Sequence, residues 1–338
     1  NGRFIEKEQL DTARIKWTWK VTNPINSYCI TFNIGDYVEI KSKYKNLDLS
    51  YWVLRHNKDV ATSHFRTIPE MLSIFEKYFG PYPFPEDGYK IVETSFAGME
   101  HQSNIAYGNY YKNGYAGYGN EVARRFDFIL IHESAHEWFG NSITSRDIAD
   151  MWIHEAFTTY AEFLYVEEKW GYDAALRYME QGIQQISLQH PIIGTFGCNH
   201  KGDSDMYYKG AMMLQTLRTH LQNDQLFFAT LKKFCLTFQK SIIDGTQVVD
   251  YFTKELKMDL IPFFHAYLKV NIIPVLEINN EKRQARFIDV PEGFDLTIAF
   301  WNGKKHKYIR VGDQPTRLKL SKKYTIDTRK SLVSRTDL

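Results

Sequence analysis

The chain has 338 residues, which is more than one hydrophobic core usually contains, so two or three domains are expected. With 43% hydrophobic and 24% charged residues, its composition is that of an ordinary globular protein. The formal net charge is only +2 and Lys and Arg are dispersed, which argues against a nucleic-acid-binding protein. No apolar run approaches the roughly 18–20 residues that a membrane-spanning helix needs. Cys29, Cys198 and Cys235 are far apart and predict free thiols.

The first 45 residues alternate between apolar and polar side chains, the period of β-strands. The predicted strands are Ile15–Val21, Tyr28–Phe32 and Tyr37–Ile40, followed by Leu47–Leu54. Because the sequence opens with Asn1 in what reads as the middle of a folded region, we expect residues 1–45 to be the C-terminal part of an N-terminal β domain. No leader segment is recognisable, and both an exported or periplasmic and a cytoplasmic location fit the sequence.

The middle of the chain changes to helical spacing. Apolar residues from Ile68 to Phe79 predict a helix that Gly80-Pro81 ends. Strands are predicted at Tyr89–Glu93 and Asn104–Tyr107, and the Tyr-, Gly- and Asn-rich segment Gly108–Gly119 is predicted to be a loop. Helices then predominate from about Glu121 to His265. We expect residues 46–267 to form one domain.

The last part of the chain returns to strand patterns separated by Pro and Gly. The predicted strands are Pro274–Ile278, Leu296–Phe300 and Tyr308–Val311. Residues 268–338 are therefore expected to form a small antiparallel β-sandwich.

The sharpest chemical signal is His132-Glu133-Ser134-Ala135-His136, an HExxH motif that follows an apolar segment. Two histidines four residues apart lie on one face of a helix, where both rings can reach one metal ion. Glu133 would then lie beside the metal and could take a proton from a bound water. The alternative is a helix whose two histidines are ordinary core or surface residues.

A catalytic zinc ion has three protein ligands and one open position. Glu155 follows His136 after 18 residues, enough for one helix to end and a second to return beside it. A carboxylate among Trp152, Ile153 and Phe157 would be costly to bury without a cation, and this predicts Glu155 as the third ligand. His154 is a rival ligand, although on a helix it points about 100° away from Glu155. Asp150 is expected to cap the second helix or to orient a ligand histidine.

The combination of HExxH, 18 residues and Glu resembles the M1 family of zinc aminopeptidases, whose members include aminopeptidase N and leukotriene A4 hydrolase. Two further segments are similar to the family. Ala97-Gly98-Met99-Glu100-His101 matches its G-x-M-E-N strand except for His101, and Tyr207-Tyr208-Lys209-Gly210 matches its Tyr-x-Lys-Gly sequence. Glu137 and the pair His154 and Ala156 also depart from the usual residues, but the ligands are all present.

The resemblance implies roles for these residues. Glu100 would bind the free α-amine of the substrate, and Gly98 and Met99 would line the substrate beside it. Tyr207 would donate a hydrogen bond to the oxyanion of the tetrahedral intermediate, with the neighbouring Tyr208 as the competing assignment. One Zn²⁺ per chain would be bound by His132, His136 and Glu155, with Glu133 as the general base.

The fold implied by the resemblance is α+β: a thermolysin-like zinc metallopeptidase domain between a partial N-terminal β domain and the C-terminal β-sandwich. The edge strand of its mixed sheet would carry Gly98–Glu100, and the sheet would pack on the helices that bear the zinc ligands. The compact form is most similar to a bacterial branch of the family. The expected activity is hydrolysis of the N-terminal peptide bond of peptides with a free N-terminus. Three alternatives stay open: a zinc endopeptidase of related fold, an inactive or truncated scaffold, and epoxide hydrolysis beside the peptidase activity.

Overall fold

The computed structural model describes residues 1–321 and 323–338, and the chain divides into two compact units. Unit 1 comprises residues 1–144 and 235–241, and unit 2 comprises residues 145–234 and 242–338. Each unit has a buried apolar core of its own.

The helices and strands agree with the sequence pattern over most of the chain. The helices are α1 (Lys58–His64), α2 (Ile68–Phe79), α3 (Phe128–Ala135), α4 (Trp152–Trp170), α5 (Tyr172–Ile183), α6 (Tyr208–Leu221), α7 (Asp224–Thr237), α8 (Gly245–Leu256) and α9 (Ile261–Leu268). The strands are β1 (Arg3–Gln9), β2 (Ile15–Lys20), β3 (Tyr37–Tyr44), β4 (Leu47–Leu54), β5 (Tyr89–Glu93), β6 (Gly98–Met99), β7 (Ile105–Tyr107), β8 (Ile143–Ser145), β9 (Ser241–Ile243), β10 (Val275–Asn279), β11 (Gln284–Ile288), β12 (Asp295–Trp301), β13 (His306–Gly312), β14 (Thr316–Arg317), β15 (Thr325–Ile326) and β16 (Ser334–Asp337).

Unit 1 is organised around a mixed five-stranded sheet with the strand order β3-β4-β5-β7-β6. β4, β5 and β7 run parallel, whereas β3 and β6 are antiparallel to their neighbours. β5 lies at the centre of this sheet, and its residues from Tyr89 to Val92 are buried, including the charged Lys90. The short strand β6, which carries Gly98 and Met99, lies at one edge of the sheet, as the sequence predicted.

Aromatic side chains fix α2 onto the segment that follows α3. Phe75 and Phe79 both contact the ring of Trp138, and the Trp138 indole N–H donates to the carbonyl of Gly80 at 3.1 Å. Phe79 also meets Phe139 edge-on, with 5.0 Å between ring centroids. Such buried aromatic pairs contribute large apolar area and a defined geometry, so the exit from α3 is held rigidly.

Unit 2 contains a helical part and two small sheets. The core of the helical part includes the aromatic stack of Phe157 on Phe234, at 5.3 Å. The C-terminal strands form one sheet in the order β14-β11-β10-β16 and another in the order β13-β12-β15. Phe287 on β11 contacts Phe294, which immediately precedes β12, at 4.9 Å. Strands therefore follow the helices after residue 268, as the periodicity predicted. The expectation of a purely antiparallel arrangement is wrong, because β10 and β16 pair in parallel.

The strand predicted at Tyr28–Phe32 is wrong. Ser27–Cys29 form a 3-10 turn, and residues 30–34 have no regular secondary structure. Only Cys29 is buried there, whereas Phe32 is 84% exposed and Ile34 is 89% exposed. The alternation of apolar residues thus reflects no buried sheet face, because the large side chains remain in contact with solvent.

Among residues 1–321 and 323–338, no helix combines the length and the apolar character that crossing a bilayer requires.

Candidate active site

The helix that carries the HExxH motif is α3, and Asp127 caps its N-terminus. The Asp127 carboxylate accepts a hydrogen bond from the backbone N–H of Leu130 at 3.1 Å. The same carboxylate accepts from the Tyr107 hydroxyl at 2.5 Å and from the Asn109 amide at 2.8 Å, and it lies 2.7 Å from Nε2 of His64. A carboxylate at this position satisfies orphan N–H groups and complements the helix dipole. Its further partners tie the start of α3 to β7 and α1.

The two histidines of the motif converge on one point. His132 and His136 are both buried, and their Nε2 atoms lie 3.2 Å apart. Nδ1 of His136 lies 2.8 Å from the carbonyl oxygen of Phe139, so this nitrogen is the N–H donor and Nε2 keeps its lone pair. Two zinc-bound nitrogens at about 2.0–2.1 Å from a tetrahedral ion are separated by about 3.3 Å. The ring pair therefore fits a single tetrahedral metal ion.

Glu133, the predicted general base, is buried next to the edge strand. A Cβ atom added to Gly98 would lie only 2.5 Å from Oε1 of Glu133 and 2.8 Å from its Cγ. Glycine at position 98 thus leaves the room that the Glu133 side chain occupies. Glu100, directly after β6, completes the cluster, because ligand atoms of Glu100, Glu133 and His136 all lie within 4.8 Å of one another.

Two side chains just after the C-terminal end of α3 fix the backbone around Glu100. The Asn141 amide donates to the Glu100 carbonyl at 2.8 Å, and Glu137 accepts a hydrogen bond from the Ser103 N–H at 2.8 Å. The family pattern has Asn at position 101, where this chain has His101. Asn141 and Glu137 hold this end of the strand through other bonds, so the change at position 101 leaves Glu100 in place.

Glu137 is a fully buried carboxyl group with several donors around it. Burial raises the pKa of Glu137 to about 7, although hydrogen bonds from Tyr82 and Ser103 and the nearby Lys90 act to lower it. The Tyr82 hydroxyl donates to Glu137 at 2.8 Å. Burial likewise lowers the pKa of Lys90 to about 8. Glu137 thus holds Tyr82 and the turn after Glu100 on the C-terminal side of α3.

Tyr28 and Cys29, in the N-terminal segment, also contact the residues around Glu100. The Tyr28 residue is 38% exposed, but burial around its hydroxyl group, followed by the Glu100 carboxylate, raises the pKa of this phenol, which is hydrogen-bonded to Glu100. The Cys29 thiol lies 3.1 Å from Oδ1 of Asn141, and burial raises its pKa to about 12. Cys29 is accordingly a packed, unreactive thiol.

In unit 2, Glu155 lies in the first turn of α4 and is 3% exposed. Trp152, Ile153 and Phe157 around it are also buried, as the sequence predicted. Nε2 of His154 accepts a hydrogen bond from the Ser145 N–H at 2.8 Å, so this nitrogen serves the local backbone rather than a metal. Among the residues that the structure describes, His154 also belongs to no cluster of potential metal ligands, which makes it a poor rival to Glu155.

The expected cap or histidine-orienting role of Asp150 is wrong. Its carboxylate accepts from the Trp152 indole N–H at 2.9 Å and from the Gly245 N–H at 2.8 Å. The residue that precedes α4 is Met151, and no side-chain cap is present there. Asp150 instead connects the start of α4 to the start of α8 within unit 2.

Tyr207 immediately precedes α6, after a 3-10 turn at Ser204–Met206. A Cβ atom on Gly210 would lie 2.6 Å from Cβ of Ala156, so glycine lets α6 approach α4 closely, right beside Glu155. The ring of Tyr208, the competing assignment, lies against Gly182, where a Cβ atom would come within 2.1 Å of it. Tyr208 is therefore a packing residue between α5 and α6.

The model of the peptidase family M1 domain matches residues 64–267, which is more than half of the chain. The chain belongs to peptidase family M1. The match includes every residue that the sequence singled out as a ligand, base, amine anchor or oxyanion donor.

Curated relatives of this M1 chain are aminopeptidases. It is 24% identical over 274 residues to aminopeptidase Ey of Gallus gallus, a match that covers 72% of this chain and 28% of that protein. It is 22% identical over 292 residues to probable aminopeptidase 1 of Sulfurisphaera tokodaii, covering 82% of this chain and 37% of that protein. The chain thus spans about a quarter to somewhat over a third of the length of such relatives.

Solved structures show the same fold. The Legionella pneumophila aminopeptidase A structure in complex with aspartic acid matches with a TM-score of 0.79 at 15% identity, over 99% of this chain and 42% of that one. A mutant M1 zinc metallopeptidase from Deinococcus radiodurans, bound to a Tyr-Ser-Ala substrate, matches with a TM-score of 0.65 at 19% identity, over 81% of this chain and 61% of that one. At these identities the likeness concerns the fold.

Several residues around the site were not found by sequence reasoning. Asp127 could have been recognised, because an Asp directly before the apolar run Phe128–Ile131 is a helix-start signal. Asn141 carries no comparable signal, and Glu137 was noted only as a departure from the family's usual residue. Their contacts near Glu100 could not be predicted, since the partners lie more than 30 residues away in sequence. Tyr28 lies still farther from Glu100, in a segment that the pattern assigned to a strand.

Proposed function

We propose that this M1 chain is a zinc-dependent aminopeptidase that hydrolyses the N-terminal peptide bond of peptides. The observation that carries the proposal is the convergence of the His132 and His136 Nε2 atoms, 3.2 Å apart, with Glu133 and Glu100 beside them. Two imidazoles with a neighbouring carboxylate form the donor set of hydrolytic zinc sites.

His132, His136 and Glu155 are the proposed ligands of one Zn²⁺ ion per chain. Glu155 is the proposed third ligand because it follows His136 at the spacing of the motif. Its chemistry supports the same role, since its carboxylate is buried among apolar side chains, where a negative charge requires a compensating cation. Zinc bound by these residues would polarise the scissile carbonyl and acidify a water molecule.

The remaining steps belong to the protein's own side chains. Glu133 takes the proton of the attacking water and passes it to the leaving amine. The Tyr207 hydroxyl donates a hydrogen bond to the oxyanion as negative charge develops there. Removing such a donor costs about 10²–10³-fold in kcat in other hydrolases.

Glu100 is the proposed anchor of the substrate's α-ammonium group, with Gly98 and Met99 lining the substrate on the same strand. Its carboxylate is held 6% exposed beside Glu133 and His136, so an ammonium group paired with it would sit next to the scissile bond. A blocked N-terminus would lack this pairing, which is the physical basis for acting on terminal and not internal bonds.

The domain division stays a prediction within this proposal. Residues 46–267 would form the thermolysin-like catalytic domain, residues 1–45 part of a β domain before it, and residues 268–338 a β-sandwich after it. The two sheets of β10–β16 support the last assignment.

The test is a panel of aminoacyl amides and matched N-acetylated peptides, assayed with and without a chelator. We expect turnover of unblocked substrates that the chelator abolishes and added zinc restores. Glu100→Ala should lose the preference for unblocked substrates by raising KM, since the ammonium partner is gone. Equal rates on blocked and unblocked peptides would instead indicate an endopeptidase, and no turnover by zinc-loaded protein would indicate an inactive scaffold.

A further inference from the structure

The loop between β7 and α3 is unusually aromatic and unusually exposed. We call residues 108–119 the aromatic loop; it contains Tyr110, Tyr111, Tyr115 and Tyr118. Tyr110 is 69% exposed, Tyr115 53% and Tyr118 76%. Three large rings in contact with solvent within nine residues form a concentrated apolar and hydrogen-bonding surface, in contrast to singly scattered exposed side chains.

The aromatic loop is nevertheless held firmly in place. The amide of Asn109, a buried residue, lies 2.7 Å from the Lys112 carbonyl, 2.8 Å from the Gly114 carbonyl and 2.8 Å from the Asp127 carboxylate. Oδ1 of Asn109 accepts a hydrogen bond from the Ala116 N–H at 2.6 Å. One side chain thus organises the loop from inside and fastens it to the cap of α3.

The backbone of the same loop is strained. Tyr110, Tyr111 and Ala116 have φ angles of +56°, +56° and +51°, in the left-handed region that residues with a Cβ atom rarely adopt. Such conformations cost free energy and persist where the surrounding structure enforces them, which is common at binding sites. A strained, braced loop presents its rings in a fixed arrangement and loses little conformational entropy when a ligand binds.

One ring of the loop, that of Tyr115, is connected to the proposed zinc site through Phe128. Tyr115 contacts Phe128 edge-on, with 6.0 Å between ring centroids, and Phe128 stacks on His132 at 5.4 Å and 21°. The Tyr115 ring therefore lies at most about 11 Å from the His132 ring. An extended peptide covers that distance with about three residues, at about 3.3–3.6 Å each.

The direction along α3 identifies which part of a peptide reaches the loop. Glu100, the proposed amine anchor, clusters with Glu133 and His136. Phe128 and Tyr115 lie at the other end of the helix, one turn before His132. A peptide whose N-terminus is at Glu100 and whose first peptide bond is at the histidines therefore continues towards the aromatic loop.

We propose that the aromatic loop is a subsite for the leaving part of the substrate, which binds an aromatic or large apolar side chain at the third or fourth residue of the peptide. This inference rests on the proposed aminopeptidase function and adds a substrate class to it. Tyr115 is the central contact, because its ring joins the exposed surface of the loop to Phe128. Aromatic pairs of this kind favour a bound ring by roughly 2- to 12-fold in affinity.

The experiment compares peptides that differ only in the leaving part. Ala-Ala-Xaa-Ala amide and Ala-Ala-Ala-Xaa amide, with Phe or Ala as Xaa, are assayed with the zinc-loaded full chain, and the ratio of kcat/KM for Phe over Ala is measured at each position. We expect a ratio of roughly 2- to 12-fold at one of the two positions, arising mainly from KM. An aminoacyl-coumarin substrate, which has no leaving peptide, is assayed in parallel with the wild type.

Variants test whether the Tyr115 ring causes the preference for Phe over Ala. Tyr115→Ala should reduce the Phe/Ala ratio to about one, whereas Tyr115→Phe should retain it, because the ring and not the hydroxyl makes the contact. Tyr308→Ala removes a comparably exposed tyrosine on β13 and should leave the ratio as in the wild type.

The outcomes separate the two proposals. If the wild type hydrolyses the coumarin substrate but shows the same kcat/KM for Phe and Ala, or if Tyr115→Ala keeps the preference, the subsite is refuted while the aminopeptidase proposal stands. If the zinc-loaded wild type hydrolyses neither the coumarin substrate nor the peptides, the proposed aminopeptidase function is refuted, and the subsite proposal, which rests on it, is refuted as well.

Discussion

The helix α3 and the aromatic loop are neighbours in unit 1, yet they hold their side chains by opposite means. Along α3 the side chains from Ile129 to Ala135 are buried, and regular backbone bonds and packing fix them. In the loop most of the tyrosines are exposed, and a single buried amide and three left-handed residues fix the backbone. Both regions meet at Asp127, which caps the helix and binds Asn109.

The difference between the two regions matches the demands on each. Proton transfer and metal binding need atoms placed within a few tenths of an ångström in a site with little water, which burial provides. Recognition of a side chain needs an accessible, rigid surface, which a braced loop provides. Changes in α3 should therefore affect turnover of every substrate, whereas changes in the loop should affect discrimination between substrates.

The largest expected effect comes from Glu133→Gln. Glutamine keeps the shape of the side chain but cannot take the proton, so kcat should fall by about 10²–10⁴-fold on short and long substrates alike. Steady-state kinetics on both substrate types measure this. Glu281→Gln, at an exposed position outside the site, is the matched control, and a loss confined to long peptides would contradict the division between helix and loop.

Gly98→Ala should have the next largest effect. The added methyl group would lie 2.5 Å from Oε1 of Glu133, so the carboxylate must move, and a displacement near 1 Å costs about 10²-fold in turnover. The expected result is a lower kcat with a smaller change in KM. Gly312→Ala is the control, because a Cβ atom there meets its neighbours only at 3.6–3.7 Å. Undiminished kcat in Gly98→Ala would show that Glu133 is not the base.

Asn109→Ala tests the loop without removing a tyrosine. Loss of the buried amide leaves two loop carbonyls and Asp127 without this donor, and we expect the free energy of unfolding to fall by about 1–3 kcal/mol. The Phe/Ala ratio for the leaving part should fall towards one, because the rings lose their fixed positions. Chemical denaturation and the peptide assay measure both effects. Asn113→Ala, exposed in the same loop, should change neither.

Some features of the fold and of the candidate site could be predicted from the sequence. The spacing of His132 and His136 was sufficient to place two rings on one helical face, because local helix geometry determines it. The edge position of Gly98 and Met99 followed from a motif resemblance and agrees with the sheet order. Local signals of this kind depend only on neighbouring residues.

Contacts between distant residues could not be predicted in the same way. Asn141 reaches the Glu100 carbonyl across 41 residues, and Glu137 reaches the Ser103 N–H across 34. No periodicity encodes such pairs, because they form only after the sheet and α3 pack together. The failed strand at Tyr28–Phe32 has a related cause, since alternation does not reveal whether a partner strand is present.

The smallest expected effect on activity concerns His220, outside both regions. Burial lowers its pKa to about 4, with Arg310 acting in the same direction and Asp295 opposing them, and its Nδ1 accepts a hydrogen bond from the Thr297 N–H. Because the folded state resists protonation, the stability from this residue is fully present above pH 6.5 and is lost as pH falls from 6.5 to 4. The loss should reach about 3 kcal/mol.

His220→Asn checks that sign, because asparagine keeps an acceptor near the Nδ1 position and does not titrate. Its free energy of unfolding should depend less on pH between 6.5 and 4 than that of the wild type, as measured by denaturant titration at several pH values. The Phe/Ala ratio at neutral pH should equal that of the wild type. A pH dependence identical in both proteins would show that another group is responsible.

The most direct measurement is the metal content of the purified chain and of two variants, determined by elemental analysis after dialysis. We expect one zinc per wild-type chain, one zinc in Glu133→Gln despite its lost turnover, and greatly reduced zinc in His136→Ala. Absence of stoichiometric zinc from the wild type under zinc-replete conditions, or full retention by His136→Ala, would contradict the proposed metal centre.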